Sequence, residues 1–356
     1  MPSTCSRQPV SSVSAPGAGL LSGLRVVEIA ALGPTPWCCM VLAGLGAEVI
    51  RVEKPLQASA AGSRWHDVTH RGRAATVALD LKSAQGCARA LEIISSADVL
   101  VEGMRPGVME KMGLGPGAYL EINPRLVYGR MTGWGQSGPL AQTAGHDINY
   151  LSLTGALHAI GAAGEPLVPP LNPVADLGGG GAFLAIGLLA ALYEVRHTGR
   201  GKVLDVAMIG GVANLMAFPY GLLGTGAWRD ERGMNTFDGG APWYGVYQTA
   251  DRQCMAVDAV EEPFYANLLL GLGLDASSLP RRTECPAWPL IRQAIATAFL
   301  SRTRAQWEQV FEALDACVTP VLSMREAPQH PHMMVRGVFA VVNGVTQPVP
   351  APPPPP

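Results

Sequence analysis

The sequence predicts an α/β fold, a parallel sheet with helices on its faces, followed by a smaller α+β unit. Three observations carry this. Short β-rich runs alternate with helical runs from residue 24 to about residue 129, the pattern of a parallel sheet. At 356 residues the chain is long enough for two cores. A polar, glycine-rich stretch at 225–240 reads as a linker between this pattern and a second one, of two strands and then three helices.

In order, residues 24–29 read as a strand, 35–45 as a helix ended by Gly46, and 48–52 as a second strand. A third strand falls at 76–81, a helix at 83–94, and further strands at 98–101 and 126–129. An apolar helix is expected at 182–197, closed by Gly199, and another at 206–215. The second unit offers strands at 244–249 and 254–260, helices at 263–270, 288–300 and 303–314, and a returning strand at 318–322. No internal repeat is visible. The expected division is an extension at 1–20 without order, a large domain at 21–222 plus about 323–347, a small domain at 223–322, and a Pro-rich tail at 348–356.

Composition excludes several function classes. Charged residues make up 15% of the chain against about 25% in an average domain, so the charged surface is sparse. The formal net charge of -2 gives no reason to expect nucleic acid or an anionic membrane. Seven cysteines without a C-x-x-C pair point to neither a zinc knuckle nor a disulfide framework, and fit a reducing, cytoplasmic setting. Adjacent Cys38 and Cys39 read as small core residues. The first 20 residues hold no apolar core of a secretory signal, and the apolar run at 182–193 is shorter than the roughly 20 residues that span a bilayer. No G-x-G-x-x-G follows the first strand, so a dinucleotide cofactor is not expected.

Four places hold chemistry-bearing residues. His146 sits in a polar cluster, Gly145-His146-Asp147-Ile148-Asn149-Tyr150, before a possible helix. Such a cluster reads as a cap or as a site that titrates near neutrality. Asp176 precedes four glycines that open an apolar helix, and reads as an N-cap or as a carboxylate beside exposed amides. Glu261 and Glu262 end a strand and start a helix. Cations recur at successive strand ends: Arg51 and Lys54, then Lys82, Arg105 and Lys111. Each alone reads as solvated charge, while their recurrence suggests a polyphosphate ligand such as coenzyme A.

These segments carry a resemblance. Leu-Gly-Ala-Glu-Val-Ile-Arg-Val-Glu-Lys-Pro at 45–55, Val-Ala-Leu-Asp-Leu-Lys at 77–82, Arg-Pro-Gly-Val-Met-Glu-Lys-Met-Gly at 105–113, Gly-Trp-Gly-Gln-Ser-Gly-Pro at 133–139 and Gly-His-Asp-Ile-Asn-Tyr at 145–150 stand in order. With them the chain resembles the class III CoA-transferase superfamily and, within it, the α-methylacyl-CoA racemases, from about residue 21 to about residue 340. The resemblance implies a Rossmann-like large domain, a smaller α+β domain and an interlocked homodimer. It implies a path for coenzyme A along Lys54, Leu79, Asp80, Leu81, Lys82, Gly103, Met104, Arg105, Lys111, Gly145, Asp147 and Tyr150. Lys54 stands where the family often has Arg, which keeps the charge and loses the bidentate fork.

The racemase branch pairs a His in the Gly-His-Asp segment with an Asp in the glycine-rich segment, which map onto His146 and Asp176; a further acid maps onto Glu261. The implied reaction inverts the α-carbon of a 2-methylacyl-CoA thioester by two-base proton transfer, with no metal and no cofactor besides the substrate's own CoA. Amides near Gly178–Gly181 or the Trp134 loop are the expected oxyanion donors. In the transferase branch the Asp at the position of Asp176 is instead a nucleophile that carries acyl groups. An inactive CoA-binding protein is a third reading.

Overall fold

The computed structural model describes residues 19–55 and 68–351, so nearly all of the expected N-terminal extension and most of the Pro-rich tail lie outside the described residues. Strand β1 (Arg25–Ile29) leads into helix α1 (Pro34–Gly44) and β2 (Glu48–Glu53). Then come β3 (Ala75–Ala78), α2 (Ala84–Ser95), β4 (Val99–Glu102), α3 (Val108–Lys111), α4 (Pro116–Ile122) and β5 (Val127–Thr132). Helices α5 (Asp147–Leu153) and α6 (Ala156–Ala159) follow, then a π-helical segment (Pro173–Ala182) that runs directly into α7 (Phe183–Thr198), and β6 (Lys202–Ala207) and α8 (Met208–Leu215).

The six strands form one parallel sheet in the order β3-β2-β1-β4-β5-β6, the Rossmann order. Its centre is apolar on both faces: Val26, Val27, Val49, Val52, Val99, Leu100 and Val101 are fully buried. The expected α/β class is therefore the observed one. The chain order reverses between β1 and β4, so the crevice for ligands opens where α1 and the loop after β4 begin.

Two local features departed from expectation. Strand β6 has no counterpart among the expected elements: its last two residues, Val206 and Ala207, fall in the helix expected at 206–215, because the apolar run of α8 follows the strand without a break. The expected helix at 182–197 begins nine residues earlier, as a π-helix, giving 26 continuous helical residues, Pro173–Thr198, long and apolar enough by composition to cross a membrane. Here Leu184 and Leu188 of α7 pack over Gly129 of β5, where an added Cβ would lie 2.9 and 3.0 Å from them.

The π-helix also packs on α8. A Cβ on Gly211 would stand 1.8 Å from the Gly179 carbonyl oxygen, a backbone atom that cannot rotate away. Gly211→Ala is expected to destabilise the protein by about 3 kcal/mol or more, read as a lower urea midpoint. An unchanged midpoint would show that these helices do not pack as described.

The later part of the chain holds α9 (Ala217–Gly224), β7 (Tyr244–Gln248), β8 (Cys254–Asp258), α10 (Glu262–Leu272), α11 (Trp288–Phe299), α12 (Arg304–Glu312), β9 (Val318–Pro320), α13 (Pro331–Val335) and the hairpin β10 (Phe339–Val342) and β11 (Val345–Pro348). Strands β7, β8 and β9 pair antiparallel. Trp307, Phe299 and Phe311 fill the core beside them, with Tyr247 stacked on Phe299 at 5.3 Å. Helix α12 starts with a capping box between Thr303 and Gln306.

The expected linker at 225–240 is a closed turn instead. Asp238 accepts the amides of Gly233, Asn235 and Gly240, and buried Asn235 donates to the Arg229 and Glu231 carbonyls. Glycines and polar residues look alike in an open linker and in a turn of this kind.

By packing, the chain forms two units. One holds the described residues up to Tyr150, Asn172–Val212 and the end from Val349; the other holds Leu151–Leu171 and Ala213–Pro348. Residues 323–347, expected with the large domain, thus fall in the second unit. There Glu326 is held by Arg304 of α12 at 2.5 Å and accepts the Ser323 amide at 2.8 Å.

Candidate active site

Most of the residues expected along the coenzyme A path lie at the C-terminal edge of the sheet in the first unit. Lys54 follows β2 directly, and Leu79–Lys82 form the turn between β3 and α2. Asp80 shapes that turn by accepting the Lys82 amide through its carboxylate at 3.1 Å and the Ser83 amide through its carbonyl at 3.0 Å. Gly103, Met104 and Arg105 follow β4, and Lys111 ends α3. Lys54, Lys82, Arg105 and Lys111 are all exposed. Arg51 is not among these free cations. It is buried in ion pairs with Glu28 and Glu53, and Arg73 shares Glu28 at 2.7 Å.

A second buried pair fixes the loop after β4. Glu102 is fully buried and accepts from Arg130 Nε at 3.0 Å and from the Met104 amide at 2.5 Å. Arg130 in turn grips Glu110 with two nitrogens at 2.7 and 3.1 Å. Burial pushes the Glu102 carboxyl up, against the opposing pull of the Met104 amide and Arg130.

The segment after β5 brings in His146. Trp134 packs edge-on to Tyr150 at 4.8 Å, and the Tyr150 hydroxyl donates to the Gly145 carbonyl. Gly133 and Gly145 permit this: a Cβ on Gly133 would lie 2.2 Å from the Tyr150 ring, and one on Gly145 2.9 Å from Trp134 and Tyr150. The His146 amide donates to Asn149 Oδ1 at 3.0 Å, closing the turn that starts α5, while the His146 side chain is exposed. Asp147 points the other way and is buried.

Asp176 lies in the first turn of the π-helix, half-buried. Gly33, at φ 68°, passes so close that a Cβ there would be 3.4 Å from Asp176 Oδ2. The Asn172 amide group lies 3.5 Å from the same oxygen. Burial raises the Asp176 carboxyl, and the charge of Asp147 raises it further; Asn172 and His146 pull it down. The result is a carboxyl held above its ordinary range, a property that suits general acid–base chemistry near neutral pH.

The amides near Gly178–Gly181 are the expected oxyanion donors. These glycines lie inside the π-helix; Gly178 is half-buried, while Gly179, Gly180 and Gly181 are buried for packing: a Cβ on Gly181 would be 2.6 Å from Trp37, and one on Gly180 2.9 Å from Pro34. In the Trp134 loop, the Gly135 amide donates to Thr132 and the Gln136 amide to Asp205. Glu261 belongs to the second unit, where it is the exposed N-cap of α10 and makes no capping bond through its side chain. Arg282 fixes this turn by donating to the Ala259 and Val260 carbonyls and pairing with Glu262 at 3.1 Å.

Comparison with known proteins places this arrangement. The model of CoA-transferase family III matches residues 21–356. The chain belongs to CoA-transferase family III. A family III relative from Mus musculus, alpha-methylacyl-CoA racemase, is 46% identical over 335 residues, 94% of this chain and 86% of that protein. The Homo sapiens protein of the same name is 45% identical over 320 residues, 90% of this chain and 82% of that one. The crystal structure of a CAIB/BAIF family protein from Brucella suis superposes with a TM-score of 0.79 at 21% identity, covering 94% of this chain and 92% of that chain, which supports the family III fold.

Sequence reasoning missed two residues beside Asp176 in this candidate site. Asn172 stands one turn before it, a spacing visible in the sequence; Gly33 is brought in only by the fold.

Proposed function

We propose that the chain is an isomerase that inverts the α-carbon of 2-methylacyl-CoA thioesters, as the names of its mouse and human relatives suggest. The observation that carries the reading is the tie between Asp147, the neighbour of His146, and the backbone of Asp176. It gives one small region an imidazole and a carboxyl held above its ordinary range. In the proposed reaction one of them removes the α-proton, a planar enolate-like species forms, and the other returns a proton to the opposite face. The thioester already acidifies that proton, so the step asks for positioned acids and bases rather than a metal or redox centre. Exposed Lys54, Lys82, Arg105 and Lys111 are proposed to meet the phosphates of coenzyme A, whose own thiol ester is the substrate. Glu261 is proposed as an orienting carboxylate and the working form as a homodimer, both from the family resemblance.

The competing reading within the family is acyl transfer with Asp176 as nucleophile. Each pure epimer of a 2-methylacyl-CoA is expected to drift to the same mixture of epimers, with no CoA passed to an added free acid. Hydroxylamine is expected to trap nothing on Asp176. Transfer to the acid, with an Asp176 hydroxamate, would replace the isomerase reading with the transferase one.

A further inference from the structure

Asp147 stands next to His146 in the chain and 29 positions before Asp176, yet it contacts the helix that carries Asp176. Its Oδ2 accepts the Ala175 amide at 3.0 Å and the Asp176 amide at 2.9 Å. These are first-turn amides of the π-helix, the kind that a helix leaves without a partner of its own. The local N-cap, Asn172, makes no capping bond with its side chain; it faces the Asp176 carboxylate instead. The cap is therefore supplied from a distant part of the chain. Asp147 is itself only 7% exposed, so this carboxylate faces the helix and not solvent.

We propose that Asp147 is a positioning residue, the brace that fixes the Asp176 backbone against the segment carrying His146. This rests on the two-base reading of the site. A cap from any local residue would start the helix equally well but would not tie it to His146. Using the neighbour of one base to cap the helix of the other couples their spacing directly. The brace also brings a negative charge to Asp176, which faces His146, Asn172, Tyr150 and Gly33 besides Asp147. Removing that charge without removing the oxygen lowers the pH at which Asp176 ionises, while burial, the larger cause, stays.

The test compares Asp147→Ala with Asp147→Asn in the full chain, using a 2-methylacyl-CoA in deuterated water. Asp147→Ala is expected to slow epimerisation about 100-fold with KM nearly unchanged, the cost of a misplaced base. Asp147→Asn keeps an acceptor oxygen and is expected to recover most of that loss, with the acid limb of its pH profile displaced downward. Hydrogen exchange at the Ala175 and Asp176 amides is expected to speed up in the Ala variant and stay near the parent value in the Asn variant. A rise in KM with unchanged kcat in both variants would overturn the proposal and make Asp147 a substrate contact. So would amide exchange at 175 and 176 that ignores the Ala substitution. Amide exchange decides the brace even if the parent chain proves not to epimerise, an outcome that would remove the two-base reading alone.

Discussion

His146→Ala is expected to lower epimerisation about 1000-fold while leaving a telltale residue of activity. A two-base site works from both faces of the α-carbon. With His146 gone, Asp176 can still remove and return the proton on its own side. Deuterium then enters one epimer only, and configuration is retained. Asp176→Asn is expected to give the mirror result, with exchange confined to the other epimer. NMR on each pure epimer in deuterated water reads both effects. Inversion of both epimers by either variant at the parent rate would contradict the roles given to these residues.

Asp176→Asn carries a second expectation, opposite in sign to most substitutions at a half-buried position. The Asp176 carboxyl is raised in the folded protein, chiefly by burial and next by Asp147. The folded state therefore binds its proton more tightly than the unfolded chain does. Stability contributed by this group is present at low pH and is lost as pH rises from the ordinary Asp range through the raised value. At neutral pH the ionised carboxylate costs stability, and Asn mimics the protonated form. The variant is expected to melt above the parent at pH 7 and to lose that advantage below about pH 4. A lower Tm at pH 7 would mean that Asp176 is held by favourable contacts and not desolvated.

Arg130→Met is the substitution with the largest expected effect on stability. It strands Glu102, which is fully buried and keeps only the Met104 amide as a partner. Breaking a buried ion pair from one side costs about 3–5 kcal/mol. Glu102 is already displaced upward by burial, so in the variant it takes up a proton more readily, which softens the loss. The sign follows: the variant's deficit is largest at neutral pH and shrinks as pH falls toward the ordinary Glu range, where the unfolded chain is protonated too. Urea unfolding at pH 7 and pH 5 measures this. The same Glu102 holds the Met104 amide, so KM for the CoA thioester is expected to rise as the loop at 103–105 loosens. Equal stability at pH 7 would contradict the description of this pair.

Much of the first unit was legible because its central strands β1, β2, β4 and β5 are largely buried on both faces and stand apart in the sequence. Strands β1, β2 and β4 fall within a residue of their expected places, and β5 starts one residue late and runs three residues further than expected. Strand β3 ended early, because the residues read as its second half are a turn shaped by Asp80. Strand β6 was hidden by the apolar run that continues into α8. The start of the π-helix was missed although Asn172 and Pro173 mark it locally: the run of four glycines that follows disfavours a helix, and the cap bonds come from Asp147 rather than from Asn172. For the same reason His146 and Asp176 were visible as candidates while their connection was not. Arg51 shows the opposite error. As a cation at a strand end it resembled a phosphate ligand, but in register it stands opposite Glu28 on β1 and is buried with it.

The most direct test of the central claim is a single-epimer 2-methylacyl-CoA incubated with the full chain in deuterated water, with α-deuterium and stereochemical purity followed together by NMR. The account predicts one deuteron gained per inversion, so that deuterium incorporation and loss of optical purity rise in step from the first turnover. Loss of optical purity without deuterium, or no change in either while CoA moves to a free acid, would contradict it.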